Sequence, residues 1–161
     1  MGLDITCFIE TRESHFKSNW TCKAEYHLSR DTELFGYMAN GILIDDRSKF
    51  SNRGVPSDVS SVVEQAYILY VDDDYANCDH SVPTTKALDS VAEGKSFWWN
   101  NERTIITHPD YFSASWLTVK ELEQILSVKQ NYDLEVIINI MQSINRIRVF
   151  KASRLIFWFD R

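Results

Sequence analysis

Residues 4–12 read DITCFIETR, and residues 154–160 read RLIFWFD. In the first stretch Ile5, Cys7 and Ile9 alternate with Thr6, Phe8 and Glu10, a period of two that predicts a β-strand. Trp20, Cys22, Ala24 and Tyr26 repeat the pattern against Thr21, Lys23, Glu25 and His27. The polar stretch Glu13 to Asn19 between the two predicts a β-hairpin. The C-terminal stretch is aromatic and branched, which predicts a closing strand.

Between these ends the signals are helical. In RDTELFGYMANGI, Asp31 can cap a helix, Thr32 and Glu33 suit its positive end, and Asn40-Gly41 predicts a left-handed stop with Ile42 folding back on Tyr37. Ser61 and Glu64 have capping-box spacing and predict a helix through VVEQAYILY. Asp72 to Asn101 reads as loop, with a short helix around Thr85 to Ala92. In SWLTVKELEQIL, Thr118 and Glu121 predict a capping box, and Leu117 and Leu122 hold the two positions of a hydrophobic staple. YDLEVIINIMQSINRI predicts a longer helix with Leu134, Ile137, Ile138, Met141 and Ile144 on one face. The expectation is an α+β fold: an antiparallel sheet, with an N-terminal hairpin and a C-terminal strand, packed on a layer of about four helices. The 161 residues suit a single domain, 1–161, with 72–101 as a loop-rich insertion.

Composition narrows the function classes. Hydrophobic residues make 44% and charged ones 25%, the range of globular rather than disordered chains. Seventeen basic against 23 acidic residues give a net charge of −6, a poor match for a duplex DNA binder. Cys7, Cys22 and Cys78 are odd in number and contain no C-x-x-C, which predicts a reducing cytoplasm rather than a disulfide framework. The N-terminus lacks the basic and apolar regions of a signal peptide, and the apolar runs are too short to span a bilayer. Met1-Gly2 followed by Thr6 fits the loose myristoylation pattern but has no polybasic segment beside it, so an ordinary start is the reading taken.

Several residue groups invite a chemical reading. Arg30 and Arg53, flanked by Asp4 and Asp58, could grip a phosphate or nucleotide between two guanidiniums; the plainer alternative pairs Arg53 with Asp58 and Arg30 with Asp4 or Asp31. Ser113 and Ser115 could be set beside His108 or His80, but no nucleophile elbow frames them, and Ser115 is read as bonding the turn before the staple. Asp72, Asp73, Asp74, Asp79 and His80 fail the EF-hand template, because Ala76, Asn77 and Pro83 stand where an oxygen ligand, the Gly and the Glu belong. A solvated acidic loop is the reading there, and no metal or cofactor is expected. Arg146, Arg148, Lys151 and Arg154 read as cations at a helix end, with phosphate gripping beside Trp98, Trp99 and Trp158 as the sharper alternative. Trp98-Trp99 on a strand would point to opposite faces, giving either a packed pair or a ligand stack or subunit contact.

MGLDI at the start, RDTELFGYMA, RGVPSDVS, SASWLT and the closing IFWFD occur in this order from Met1 to Asp160. The ordered set resembles a family of small uncharacterised bacteriophage and prophage proteins that open M-G-x-D-I. The resemblance implies a phage-borne accessory protein. Members often carry Cys at the position of Leu3, and His at those of Thr6 and Phe112; their absence here argues against thiol, imidazole or metal chemistry. The segment between RGVPSDVS and SASWLT is also longer than in the family pattern. The reading is a binding protein rather than an enzyme, acting on the host in counter-defence or takeover from the host cytoplasm. Its partner would be a small phosphorylated ligand or a host protein, with Arg30, Arg53 and Trp116 as contacts, Ser115 alongside, and Asp4 and Asp58 orienting them. Two alternatives stand: a hydrolase or transferase on a phosphate ester with Asp4 or Asp58 as general base, and an acidic mimic of nucleic acid. A homo-oligomer is compatible with so aromatic a chain.

Overall fold

The computed structural model describes residues 2–13, 19–74, 80–150 and 152–160. The chain falls into two compact units, one made of residues 1–60 and 113–161 and the other of 61–112.

The first unit is built on a four-stranded sheet. Strand β1 (Asp4–Arg12) lies between β2 (Thr21–Tyr26) and the C-terminal strand (Ala152–Asp160, seventh in chain order and hence β7). Both pairings are antiparallel, and the register with β7 runs unbroken from Asp4 opposite Asp160 to Arg12 opposite Ala152. The predicted hairpin and closing strand are therefore present and adjacent, although Ser14 to Ser18 of the connection lie outside the described residues. Alternation sorts the side chains by face. Ile5, Cys7 and Ile9 share one face with Leu155, Phe157 and Phe159, while Phe8 and Glu10 share the other with Ile156, Arg154 and Trp158. All of these are buried, so the sheet is covered on both sides and even its polar-looking face carries core residues. Phe8 meets Trp158 with ring centroids 5.4 Å apart on one face, and Phe159 meets Phe35 at 5.4 Å on the other.

Three helices of this unit follow the sequence signals. α1 (Thr32–Met38) is capped by Asp31, whose carboxylate accepts from the Leu34 amide at 3.0 Å. It stops at Met38 with Ala39 extended, two residues before the expected Asn40-Gly41 stop. Leu43 comes back onto it, packed so closely on Gly36 that a Cβ there would collide with its side chain. The chain reaches the sheet's remaining edge strand (Phe112–Leu117, sixth in order and hence β6) and then enters the helix Val119–Val128, fourth in order and named α4. The Thr118–Glu121 capping box is complete in both directions, and Leu117 and Leu122 are fully buried. α5 (Tyr132–Asn145) is capped by Asn131 and buries Leu134, Ile137, Ile138 and Met141, while Ile144 is only half-buried. α1 packs on α4, and α4 and α5 pack on each other and on β7. Lys129 ties this layer together, 2.8 Å from Glu33 and 3.5 Å from Asp31.

The second unit holds α2 (Ser61–Tyr67), β3 (Ile68–Val71), β4 (Ser81–Val82), α3 (Thr84–Ala92), a 3₁₀ turn (Trp99–Asn101) and β5 (Ile105–Thr107). The helix expected through Tyr70 ends at Tyr67. Ser61 is its first residue, and Ile68-Leu69-Tyr70-Val71 becomes a strand, parallel to β4 and antiparallel to β5. Short apolar runs are ambiguous by periodicity, and pairing Leu69 opposite Ile106 buries both, which settles this one. The stretch expected to be mostly loop contains α3, close to its predicted place. Ala87 of that helix joins Leu69 and Ile106 in a small core flanked by Val71, Val82, Val91 and Trp98. Trp98 forms a bridge to Ile106 and Trp99 opens the 3₁₀ turn, so the two do not alternate on a strand; Trp99 is buried beside Tyr67 at 5.6 Å. Burial pushes the Tyr67 hydroxyl up to about 12. Among the described residues, no helix is long and apolar enough to cross a membrane.

Candidate functional site

The six residues picked from the sequence separate into three places, all in the first unit. Asp4 and Arg30 form an exposed two-pronged pair, Nε and Nη2 each 2.6 Å from a carboxylate oxygen. Those hydrogen bonds hold the Asp4 carboxyl below its ordinary range. Both prongs of the Arg30 fork are thus occupied from within the chain.

Arg53, Ser115 and Trp116 do come together, but around a carboxylate that sequence reasoning had used only as a cap. Arg53 pairs with Glu121, not with Asp58: its Nη1 lies 3.0 Å from one carboxylate oxygen and its Nη2 bonds the other. The same guanidinium lies over Trp116, 4.5 Å from the ring centroid, and donates to the Trp116 carbonyl at 3.0 Å. The buried Ser115 hydroxyl accepts from the Arg53 amide at 3.1 Å, so it anchors a distant loop rather than its own turn. Gly54 adds a backbone bond to Ala114. Burial would raise the Glu121 carboxyl, but hydrogen bonds from Arg53 and Thr118 and the Arg53 charge outweigh it and hold it below its ordinary value. Both Nη groups of Arg53 and both Glu121 oxygens are engaged, which makes this a clasp between the 53–54 segment and the start of α4.

Asp58 belongs to the third place, and it is the most elaborate. Glu10, fully buried in β1, accepts the Ser60 amide at 2.7 Å through Oε1 and the Arg154 Nε and Nη2 at 2.9 and 2.8 Å through Oε2. Arg154 therefore leaves the basic group near the helix end and works from β7, directly opposite Glu10 in the ladder. Its remaining Nη1 donates to Asp58 at 3.0 Å, and the other Asp58 oxygen accepts the Trp20 indole N–H at 3.0 Å. Burial would raise the Asp58 carboxyl, yet Arg154 and Trp20 more than compensate and hold it low. The Arg154 guanidinium lies 3.8 Å from the Trp20 ring centroid. A bulge in the β1–β2 ladder between Ile9 and Glu10, where Cys22 comes opposite Glu10, bends the strand at this point.

Arg12 completes the corner. Its guanidinium lies 4.7 Å from the same Trp20 ring. Among the described residues it has no carboxylate partner, and its Nε is buried with no hydrogen-bond partner. Sequence reasoning missed Arg12, Trp20, Glu10 and Arg154 as a group. The only signal was weak: two arginines and an acid in the two strands expected at the chain ends.

Other residues weighed for chemistry take structural roles. Asp73 accepts from the Thr84 amide and hydroxyl at 2.8 and 2.9 Å, fastening the start of α3. Asp79, Cys78 and Lys151 lie outside the described residues. Among the described residues, no group of three or more His, Cys, Asp or Glu is arranged to hold a metal ion. Ser113, with φ of 49°, donates to the Asn40 carbonyl at 2.9 Å. Burial pushes the Cys7 thiol well up, away from reactivity. Comparison with known proteins finds no matching family model, no matching curated protein and no matching solved structure.

Proposed function

We propose that the chain is a binding protein whose ligand carries a phosphate or similar anionic group, held at the Arg12–Trp20 corner. The observation that carries this is Arg12. Arg30, Arg53 and Arg154 all have their forks filled by the chain's own carboxylates, whereas Arg12 is oriented by an indole and lacks a counter-ion among the described residues. A guanidinium fixed in this way offers a planar fork suited to phosphate, and the Trp20 ring, which already carries Arg154 at 3.8 Å, holds it in place. The chemistry expected from the sequence is kept, but its centre moves from Arg30 and Arg53 to Arg12, with Asp58 retained as the group that orients Trp20.

The carboxylates favour binding over hydrolysis. Asp4 and Asp58 are both held below their ordinary range by cationic partners, so neither is poised to accept a proton near neutral pH. The acidic-mimic reading is weakened in the same way, because Asp4, Glu10, Asp58 and Glu121 are engaged by the chain's own arginines. With the sequence resemblance, this makes a phage-borne accessory protein that works in the host cytoplasm by sequestering a small phosphorylated molecule.

Thermal unfolding against inorganic phosphate, nucleotides and cyclic dinucleotides tests the reading. A ligand at a hundred times its dissociation constant adds about 2.7 kcal/mol, which for a chain of this size is a rise of about 5–10 °C in Tm. The expected result is such a rise with at least one phosphorylated compound, lost in Arg12→Ala and kept in Arg30→Ala. No rise with any of them, or an equal rise in Arg12→Ala, would overturn it.

A further inference from the structure

α5 has a second face. Its inward side buries Leu134, Ile137, Ile138 and Met141. On the outward side Val136, Ile140, Ile144 and Ile147 line an open groove with Asn139 and Ser143. Tyr132 at the start of the helix is 78% exposed, and Val149 just past its end is 53% exposed. Surface helices ordinarily turn polar residues outward, so a helix apolar on both sides is waiting for a neighbour.

We propose that this neighbour is a second copy of the chain, its α5 packed antiparallel on the first about a two-fold axis passing close to Ile140. The charges around the groove carry the choice. At 100° per residue, Glu135 and Arg146 lie on one flank of the outward face, and Val136, Ile140 and Ile144 lie on the other. Glu135 is in the first turn, Arg146 is the C-cap, and both are exposed. Among the described residues neither side chain has an ion-pair partner, and the exposed Arg148 that follows has none. A two-fold axis crossing the helix returns each flank onto the same flank of the copy with its direction reversed. Glu135 then meets Arg146 of the second copy, and Arg146 meets its Glu135. Val136 meets Ile144 and Asn139 meets Ser143, each pairing occurring twice. A parallel two-fold arrangement would instead exchange the flanks and set the flank of Glu135 and Arg146 against the apolar flank of the copy. Self-complementarity of this kind is what a two-fold interface requires, and acidic and basic ends facing each other also match the two helix dipoles.

The contact is modest in size. Fourteen helical residues span about 21 Å, so the strip is smaller than the roughly 800 Å² per partner of standard interfaces. Pairing is therefore expected to depend on concentration in the micromolar range. This inference is independent of the ligand site, because α5 contributes nothing to the Arg12–Trp20 corner.

Sedimentation equilibrium on the full chain, from low to high micromolar, provides the test. The expected mass rises from 18.8 kDa toward twice that value. Ile140→Glu places two like charges at the axis and should raise the dissociation constant by about tenfold or more. Arg146→Glu should also weaken pairing, and adding Glu135→Arg to it should restore it, since the exchanged charges meet again across the axis. That rescue keeps the test sound even if Ile140→Glu disturbs folding. A chain that stays at 18.8 kDa at every concentration overturns the proposal and leaves the face to a different protein. Pairing that ignores both Ile140→Glu and Arg146→Glu overturns it equally.

Discussion

Glu10 and Arg154 show how much of the molecule rests on single side chains. Their charges are almost wholly withdrawn from water, with 0% and 6% of the side chains exposed. Such a pair persists because each partner satisfies the other and the Ser60 amide completes the set. Removing one partner leaves an uncompensated buried charge, at about 3–5 kcal/mol. Glu10→Ala and Arg154→Ala are each expected to lose that much in urea unfolding. The double variant Glu10→Leu with Arg154→Met should lose clearly less than the sum of the two single losses, because no lone charge remains. Additive losses would contradict the coupling. None of this pairing was legible in the sequence. The two residues are 144 positions apart, and only the register of β1 on β7 sets them opposite each other. Read along the chain, Arg154 simply follows Arg146 and Arg148 and looks like another cation at a helix end.

Elements whose stabilising groups are close in sequence were legible, and those that depend on distant pairing were not. The Thr118–Glu121 box, the Asp31 cap and the buried face of α5 all lie within a few residues of the backbone they serve. The end of α2 at Tyr67 depends instead on β5, some forty positions away, which is why Ile68–Val71 reads as helix and folds as strand. Strand β6 was hidden for a similar reason: its serines look like turn formers, yet Ser113 and Ser115 bind the distant Asn40 carbonyl and Arg53 amide. Glu121 joins the two kinds of information, serving the local cap and the remote Arg53. In the folded chain its carboxyl sits below the ordinary value of 4.5. As pH falls through and below that value the unfolded chain takes up the proton first, so stability present at neutral pH is lost on acidification. Glu121→Gln should flatten the acid limb of a stability–pH curve measured by urea unfolding. An unchanged acid limb would show that the Arg53–Glu121 clasp adds little.

At the scale of the whole molecule, the first and last strands lie side by side at the centre of the main sheet, with β2 and β6 outside them. That pairing joins residues near the two ends of the sequence, so the sheet closes only when the C-terminal strand is in place. The N-terminal strands followed from alternation, the closing strand from its aromatic and branched composition, and the α+β class from strands at both ends with helical signals between them. The gathering of residues 61–112 into a unit of their own did not, because it rests on a small core, Leu69, Ala87 and Ile106, drawn from three short elements. Of the Arg12–Trp20 corner only Asp58 was singled out from the sequence, since the group is assembled by the β1–β7 register and the loop carrying Asp58. The central claim is that Arg12 holds an anionic ligand. The most direct measurement is to expose wild-type and Arg12→Ala protein to a deproteinised bacterial metabolite extract, wash, heat-denature, and identify what each releases by mass spectrometry. The expected result is a phosphorylated compound near one per chain from the wild type and none from Arg12→Ala. Nothing from the wild type, or equal release from both, would contradict it.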